Sequence, residues 1–347
     1  MNNLTWSLYQ IWNESLEQGR PERKMEVRDY MWAGEIGGSF IDRYLKMNAT
    51  VPTNPPNARS KRKFEAGNLM EWVVEMVLLR AGILVQSQEW VAFQYPDLLK
   101  VTGRLDHEAG GEIDWEKAES EVLALRLPEF FDRATKNIIA KLKEKYPNGM
   151  NKIVLEVKSV SAIQFDMKER LNAPAMNHAC QLFHYLKAKN YTEGHIVYIC
   201  RDDLRMLEFG VFNPSKWEDI YKADITKMTN FIKNKIEPEK ELKIVFNEED
   251  YKFNKNWKVE YSNYLQMLYG YERPDLFVDE VKPLVAQFNR VLVRCLQGKE
   301  MTKLNLSVID ELKKQFPNFD EIVKQGIKLG KAKEVVEESE ATNGNGL

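Results

Sequence analysis

The alternation of apolar and polar positions divides the chain into helices and strands before any single residue needs interpreting. Leu4, Leu8, Ile11, Trp12 and Leu16 share one stripe, which predicts an amphipathic helix over 4–18, and a second helix is expected from about Phe40 to Met47. From Phe64 to Ala81, Leu69, Trp72, Val73, Met76 and Val77 keep helical spacing until Gly82 stops it. Strand-like runs follow at 83–93 and 99–107, joined by the turn Tyr95-Pro96-Asp97. Residues 120–127 read as a strand and 128–145 as a helix on Phe131, Ala134, Ile138 and Leu142. The turn Pro147-Asn148-Gly149 then leads into Ile153–Ser159, a β-branched and apolar run that reads as a buried strand. Ala173–Lys189 has helical spacing, and two strands at 195–201 and 206–212 come next. An amphipathic helix over 214–235 carries Trp217, Tyr221, Met228, Phe231 and Ile232. Beyond about 240 the pattern is helical or irregular, with one helix opening near Pro283 and running to Gly298. The tail from about 334 has nothing to bury and is expected to be disordered.

This order predicts an α/β protein whose αβββαβ core is a mixed central sheet flanked by helices, with helical additions at both ends. The expected organisation is a helical region over 1–58, the core over 59–240 with an insertion at 109–150, a helical region over 241–333, and the tail over 334–347. Composition narrows the classes. With 44% hydrophobic and 29% charged residues, the 347-residue chain is expected to be globular and soluble. Its formal charge of −2 means that any nucleic-acid surface is a local patch. No apolar run has the length of a membrane span or the form of a signal peptide. Cys180, Cys200 and Cys295 are far apart and odd in number, which implies reduced thiols in a cytoplasmic protein. His107, His178, His184 and His195 have no zinc spacing. No GxGxxG, Walker loop or GxSxG occurs in a setting that would support a dinucleotide enzyme, an ATPase or a serine hydrolase.

Charge inside the apolar pattern marks the candidate chemistry. Glu156 and Lys158 stand two apart on the buried strand, so both side chains leave the same face. An isolated pair of this kind is most often a plain salt bridge, and its company in the chain changes that reading. Glu71 on the long helix and Asp106 at the end of the second strand bring the acids to three. Three carboxylates in a low-dielectric pocket repel one another unless a cation joins them, and hard oxygen donors suit Mg²⁺ or Mn²⁺. Such an ion activates water for phosphodiester hydrolysis, with Lys158 placed to orient the water or to steady charge on the phosphate. Arg59, Lys61, Arg62 and Lys63 follow a proline-rich loop at 51–57 and read either as a solvated loop or as a phosphate grip. With Trp32 and Tyr44 they are expected to line a channel for a strand. Asn177, Gln181 and Tyr185 recur every four residues on one helical face.

Together, Gly67-x-x-x-Glu71, Gly103-Arg104-Leu105-Asp106, Glu156-Val157-Lys158 and Gln181-x-x-x-Tyr185 resemble the motifs of the PD-(D/E)xK nuclease superfamily, in its RecB-like and lambda-exonuclease-like branch. The resemblance covers roughly 60–212 and implies a restriction-endonuclease-like fold. It implies that Asp106 and Glu156 bind the metal, that the Val157 carbonyl adds a ligand, and that Lys158 is catalytic. Glu71 stands where RecB-like members often carry His and lambda-exonuclease-like relatives carry Glu. Gln181 and Tyr185 then face substrate or brace the lysine, and Arg104 and Asn177 join the basic cluster as nucleic-acid contacts. Because the insertion after Asp106 is long, Glu108 and Asp114 are substitutes for it. The segment Gly34–Leu45 resembles the N-terminal stretch of iron–sulfur members but lacks their cysteines, so no iron–sulfur cluster is expected. The implied activity is a metal-dependent DNA exonuclease acting on single strands or duplex ends, in phage or bacterial recombination or repair, beside a separate helicase or recombinase. A non-catalytic DNA-binding module and a structure-specific endonuclease stay open as alternatives.

Overall fold

The apolar run around Val154 belongs to β6 (Met150–Val160), the central strand of a five-stranded sheet in a computed structural model that describes residues 25–124, 129–212, 215–248 and 250–331. The expected helix over 4–18 and the tail from 334 lie outside the described residues. The sheet runs β2 (Leu84–Ser87), β5 (His107–Gly111), β6, β7 (Glu193–Cys200), β8 (Met206–Phe212). β6 and β7 are parallel, from Val154↔Gly194 to Val160↔Cys200, and the other pairs are antiparallel. This is a mixed sheet flanked by helices, as the pattern predicts. A second, three-stranded sheet sets β4 (Lys100–Arg104) between β1 (Tyr30–Trp32) and β3 (Trp90–Phe93). The stretch before residue 58 thus contributes a strand as well as α1 (Phe40–Met47).

Each expected strand run at 83–93 and 99–107 is in fact two strands in two sheets. The halves meet at a crossing where Gln88 takes a left-handed φ of 57°. There the Gln88 amide donates to the Asp106 carbonyl at 2.9 Å and the Leu105 amide to the Glu89 carbonyl at 3.0 Å. Pairing therefore continues through the bend, and one antiparallel ribbon passes from one sheet into the other, a common way to turn a sheet corner. No periodicity along the chain announces such a switch.

Helix α2 (Ala58–Arg80) covers one face of the large sheet through Val74 and Leu78 against Leu155 and Val157. Its N-cap Asn57 accepts from the Ser60 amide at 2.9 Å, so the basic cluster 59–63 lies on the helix and not in a loop. The other face packs on α6 (Met176–Lys189) and α7 (Ser215–Lys233), in a core that includes Leu182, Phe183, Ile196, Tyr198, Tyr221 and Met228. A further helix, α5 (Ala162–Leu171), precedes α6 in the β6–β7 crossover.

In the insertion, residues 115–124 form α3 (Trp115–Ala124), which overturns the strand expected over 120–127; residues 125–128 lie outside the described residues. Its buried Trp115 meets Ile139 of α4 (Glu129–Lys145), and helical spacing wins because the two helices cover each other. Ile138, expected on the buried stripe, is exposed in favour of Ile139.

Contacts divide the described residues into two units. One runs to Val51 and resumes over Pro56–Glu237; the other takes Pro52–Pro55 and the chain from Pro238. The second unit has its own core around Phe253, Phe277, Phe288 and Phe319. It contains a hairpin, β9 (Ile244–Asn247) and β10 (Lys252–Lys255), that the helical reading missed. Short α8 (Trp257–Glu260) and α9 (Leu265–Tyr269) precede α10 (Pro274–Leu296), α11 (Lys303–Gln315) and α12 (Phe319–Lys328). Helix α10 opens at Pro274, with Pro283 inside it, because buried Phe277 and Val281 extend the apolar stripe upstream. No helix among the described residues is long and apolar enough to cross a membrane.

Candidate active site

β5 keeps company with β6 only as far as His107↔Leu155. Past that point β5's chain bends away into the small sheet, and the edge of β6 at Glu156–Lys158 loses its strand partner. Asp106, at the crossing, fills part of this gap: its Oδ2 accepts the Val157 amide at 2.7 Å. The Val157 carbonyl leaves the strand on the same edge as that amide. Glu71 reaches the gap from α2, whose Gly67 lies against β6, where a Cβ would fall 3.5 Å from Ser159 Oγ. Glu71 Oε2 accepts from Gln88 Nε2 at 3.4 Å. His107 Nε2 donates to the Glu71 carbonyl at 3.2 Å and Nδ1 accepts from Ser87 Oγ at 3.2 Å, so the ring ties helix to sheet. Burial holds that imidazole below its ordinary pKa and therefore neutral.

The electrostatics follow from this gathering. Glu156 is fully buried; it takes the Lys158 ammonium on Oε1, while Oε2 has no hydrogen-bond partner. Burial first, and then the Asp106 charge, push the Glu156 carboxyl up to about 8, with Lys158 opposing and Glu71 adding. Glu71 is raised by burial and then by Asp106. Asp106 is also raised by burial, against the pull of Lys158 and the Val157 amide. Burial works against the Lys158 ammonium, but Glu156 and Asp106 outweigh it and hold it above the usual lysine value. Three acids and one amine thus lie within electrostatic reach of one another. Their donors are hard oxygens, and an orphaned buried carboxylate oxygen is an acceptor waiting for a cation. Glu71, Asp106, Glu156 and the Val157 carbonyl are the hard oxygen donors brought to this edge, the donor type that Mg²⁺ and Mn²⁺ take. Among the described residues no three acidic, histidine or cysteine side chains are already arranged as a cage. Lys158 is paired with Glu156, and the Val157 amide donates to Asp106.

The other expected residues separate. Tyr185 is buried, accepts from Gln181 Nε2 at 3.0 Å and donates to the Arg104 carbonyl at 3.0 Å. It braces β4 two residues before Asp106 and does not face solvent. Gly103 permits this, since a Cβ there would fall 2.8 Å from Tyr185 Cε1. Asn177 is half-buried under Gly37, and Gln181 lies against Gly34. Sequence reasoning missed what that glycine-rich segment does. Gly37 donates to Asp224 at 3.2 Å, and Asp224 is held by buried Arg43 at 2.6 Å, which pins the segment over α6. An arginine inside the apolar stripe of α1 was the available signal. Glu108 and Asp114 are engaged elsewhere: Glu108 binds Lys189 at 2.8 Å and Tyr191 at 2.7 Å, and Asp114 accepts from the Lys117 amide at 3.0 Å. Arg104 is exposed, as are Arg59 and Lys63, while Lys61 and Arg62 are half-buried. Trp32 lies on the small sheet, whereas Tyr44 packs on the core.

No protein-family model matches the chain, and no curated protein matches it. Among solved structures it is similar to SSO0001 at 13% identity and a TM-score of 0.39, over 67% of this chain and 89% of that one. It is also similar to an alkaline exonuclease from Laribacter hongkongensis at 8% identity and a TM-score of 0.32, over 65% of this chain and 97% of that one.

Proposed function

We propose that the chain is a metal-dependent DNA exonuclease of PD-(D/E)xK type. The observation that carries this reading is the meeting of Glu71, Asp106, Glu156 and Lys158 at the open edge of β6, with Glu156 Oε2 buried and unpartnered. A structural salt bridge alone leaves that acceptor unexplained, since a buried polar atom without a partner is destabilising by about 1–3 kcal/mol.

A divalent ion, when bound, polarises a phosphodiester oxygen and makes its water a stronger acid. Glu71, Asp106, Glu156 and the Val157 carbonyl would hold that ion. Lys158 offsets the charge that grows on the phosphate in the transition state and helps to orient the attacking water. Tyr185, through the Arg104 carbonyl, keeps Asp106 in register with Val157. Arg104, Arg59 and Lys63 are the cations free to meet the DNA backbone.

The test is incubation with end-labelled linear DNA and with closed circles in Mn²⁺ and in Mg²⁺, each against an EDTA control. Trimming from ends with circles left intact is the expected result. Cut circles would make the enzyme an endonuclease, and intact substrates in every arm would remove the nuclease reading.

A further inference from the structure

One face of the three-stranded sheet is turned to solvent and is poorly suited to staying bare. In-register partners put Tyr30 beside Lys100, Trp32 and Ala92 beside Thr102, and Trp90 beside Arg104, all on that face. The alternate residues Met31, Val101 and Gly103 are buried on the other side. Trp32 and Trp90 sit with ring centroids 5.3 Å apart, and Tyr30 meets Trp32 edge-on at 5.3 Å. Arg28 lies 5.9 Å from both the Tyr30 and Trp32 rings. Trp90 is 56% exposed. Trp32 is half-buried beneath these neighbours, and the exposed Trp90 ring beside it is an apolar surface that a partner could cover.

The charges indicate what that partner is. Lys100 and Arg104 are exposed on this face; among the described residues neither has an ion pair or side-chain hydrogen bond, and Arg104 acts on Asp106 and Glu71 only at longer range. The carboxylate close by, Glu35, is already held by Arg28 at 2.9 Å. Flat rings set among unpaired cations match a strand that offers bare base faces and phosphates together. A duplex offers the phosphates alone, because its bases are stacked on one another. The face also runs into the acids: Arg104 stands two residues before Asp106, and its charge acts on both Asp106 and Glu71.

We propose that this face is a stacking platform for single-stranded DNA, with Trp32 and Trp90 as the stacking rings and Lys100 and Arg104 as the phosphate contacts. It delivers a strand end to the acidic pocket, and in that delivery it deepens the exonuclease reading.

Binding is measured in EDTA, so that it is scored apart from cleavage, by tryptophan fluorescence and by anisotropy of a labelled oligo-dT. Oligo-dT is expected to quench the wild-type emission. Trp90→Ala is expected to bind it at least about tenfold more weakly, from the usual contribution of one stacked base. Trp90→Phe, which keeps a ring, should restore most of the affinity. Arg104→Gln should lower the slope of log affinity against log salt by about 0.7. Trp257→Ala, an exposed tryptophan in the second unit, is the control and should bind like wild type. Unchanged binding by Trp90→Ala and by Trp32→Ala/Trp90→Ala would overturn the platform while leaving the exonuclease to its own assay. Tighter binding of a matched duplex or of oligo-rU would also overturn it. A wild-type dimer that Trp90→Ala converts to monomer would assign the face to a second copy instead.

Discussion

At the scale of single residues, Glu156 and Lys158 carry the tension in the molecule. A buried carboxylate beside two other acids is unfavourable, and the lysine compensates for only part of it. Lys158→Ala is expected to keep oligonucleotide binding and to cut at least about tenfold more slowly, the usual effect of losing one transition-state contact. Full cleavage by that variant would remove the lysine from the chemistry. A second expectation concerns stability. Replacing both partners, Glu156→Gln with Lys158→Met, should leave the urea midpoint unchanged or raise stability by up to about 1–4 kcal/mol, while abolishing cleavage. Lys158→Met alone should lower it, because Glu156 then loses its cation and must take up a proton to stay buried. A double variant clearly less stable than either single one would show that the pair is mainly structural. The pair was readable from the chain because an ExK on an apolar strand is conspicuous. What Asp106 does was not, since its bond to the Val157 amide spans 51 positions.

At the scale of elements, the helices that bury one stripe were legible: α2, α6 and α7 all fall where apolar spacing puts them. The failures share a cause, which is that tertiary partners decide. Residues 120–124 suit a strand in isolation, yet they continue α3, which Trp115 anchors on Ile139 of α4. The ribbon at 83–111 looks like two long strands, because a bend at Gln88 and Leu105 has no compositional mark beyond one positive φ. The closeness of α6 to β4 depends on Gly103, and Gly103→Ala tests it. The added methyl would sit 2.9 Å from the Ala33 Cβ as well as against Tyr185, so a loss of about 1–3 kcal/mol is expected by denaturant unfolding. Cleavage should fall too, because Tyr185 would no longer hold the Arg104 carbonyl. Wild-type stability in that variant would mean that the helix has room to retreat.

Across the whole molecule, two features set the response to conditions. A net charge of −2 leaves affinity for DNA to local patches, so binding should weaken steeply with salt without any global attraction. The second feature is acid sensitivity. His184 is buried with Nδ1 2.8 Å from the Tyr221 hydroxyl, and burial pushes its imidazole down to about 3. His178, 2.8 Å from the Tyr198 hydroxyl, is likewise pushed down to about 3 by burial and by Lys158. Both are neutral when folded and take a proton at an ordinary value when unfolded. Stability from this source is complete above pH ~6.5 and falls as pH drops toward 3, by about 1.4 kcal/mol per unit for each ring. His195 acts in the opposite sense. Its hydrogen bond to Glu208 raises it, so its contribution is present below pH ~6.5 and disappears as pH climbs past the raised value. The raised Glu156 carboxyl opposes the two rings over this range, so the check is a comparison. The fall in urea midpoint from about pH 7 to 5 should be smaller in His184→Phe than in wild type, and an identical pH dependence would contradict the buried-neutral assignment.

The ribbon that changes sheets at Asp106 has one more effect. Its outer half displays Trp90 and its inner half positions an acid, and Gln88 and Leu105 keep the pairing through the corner between them. A displacement of Trp90 would therefore be expected to reach Asp106 through paired backbone, as along a lever arm, and not through a free loop.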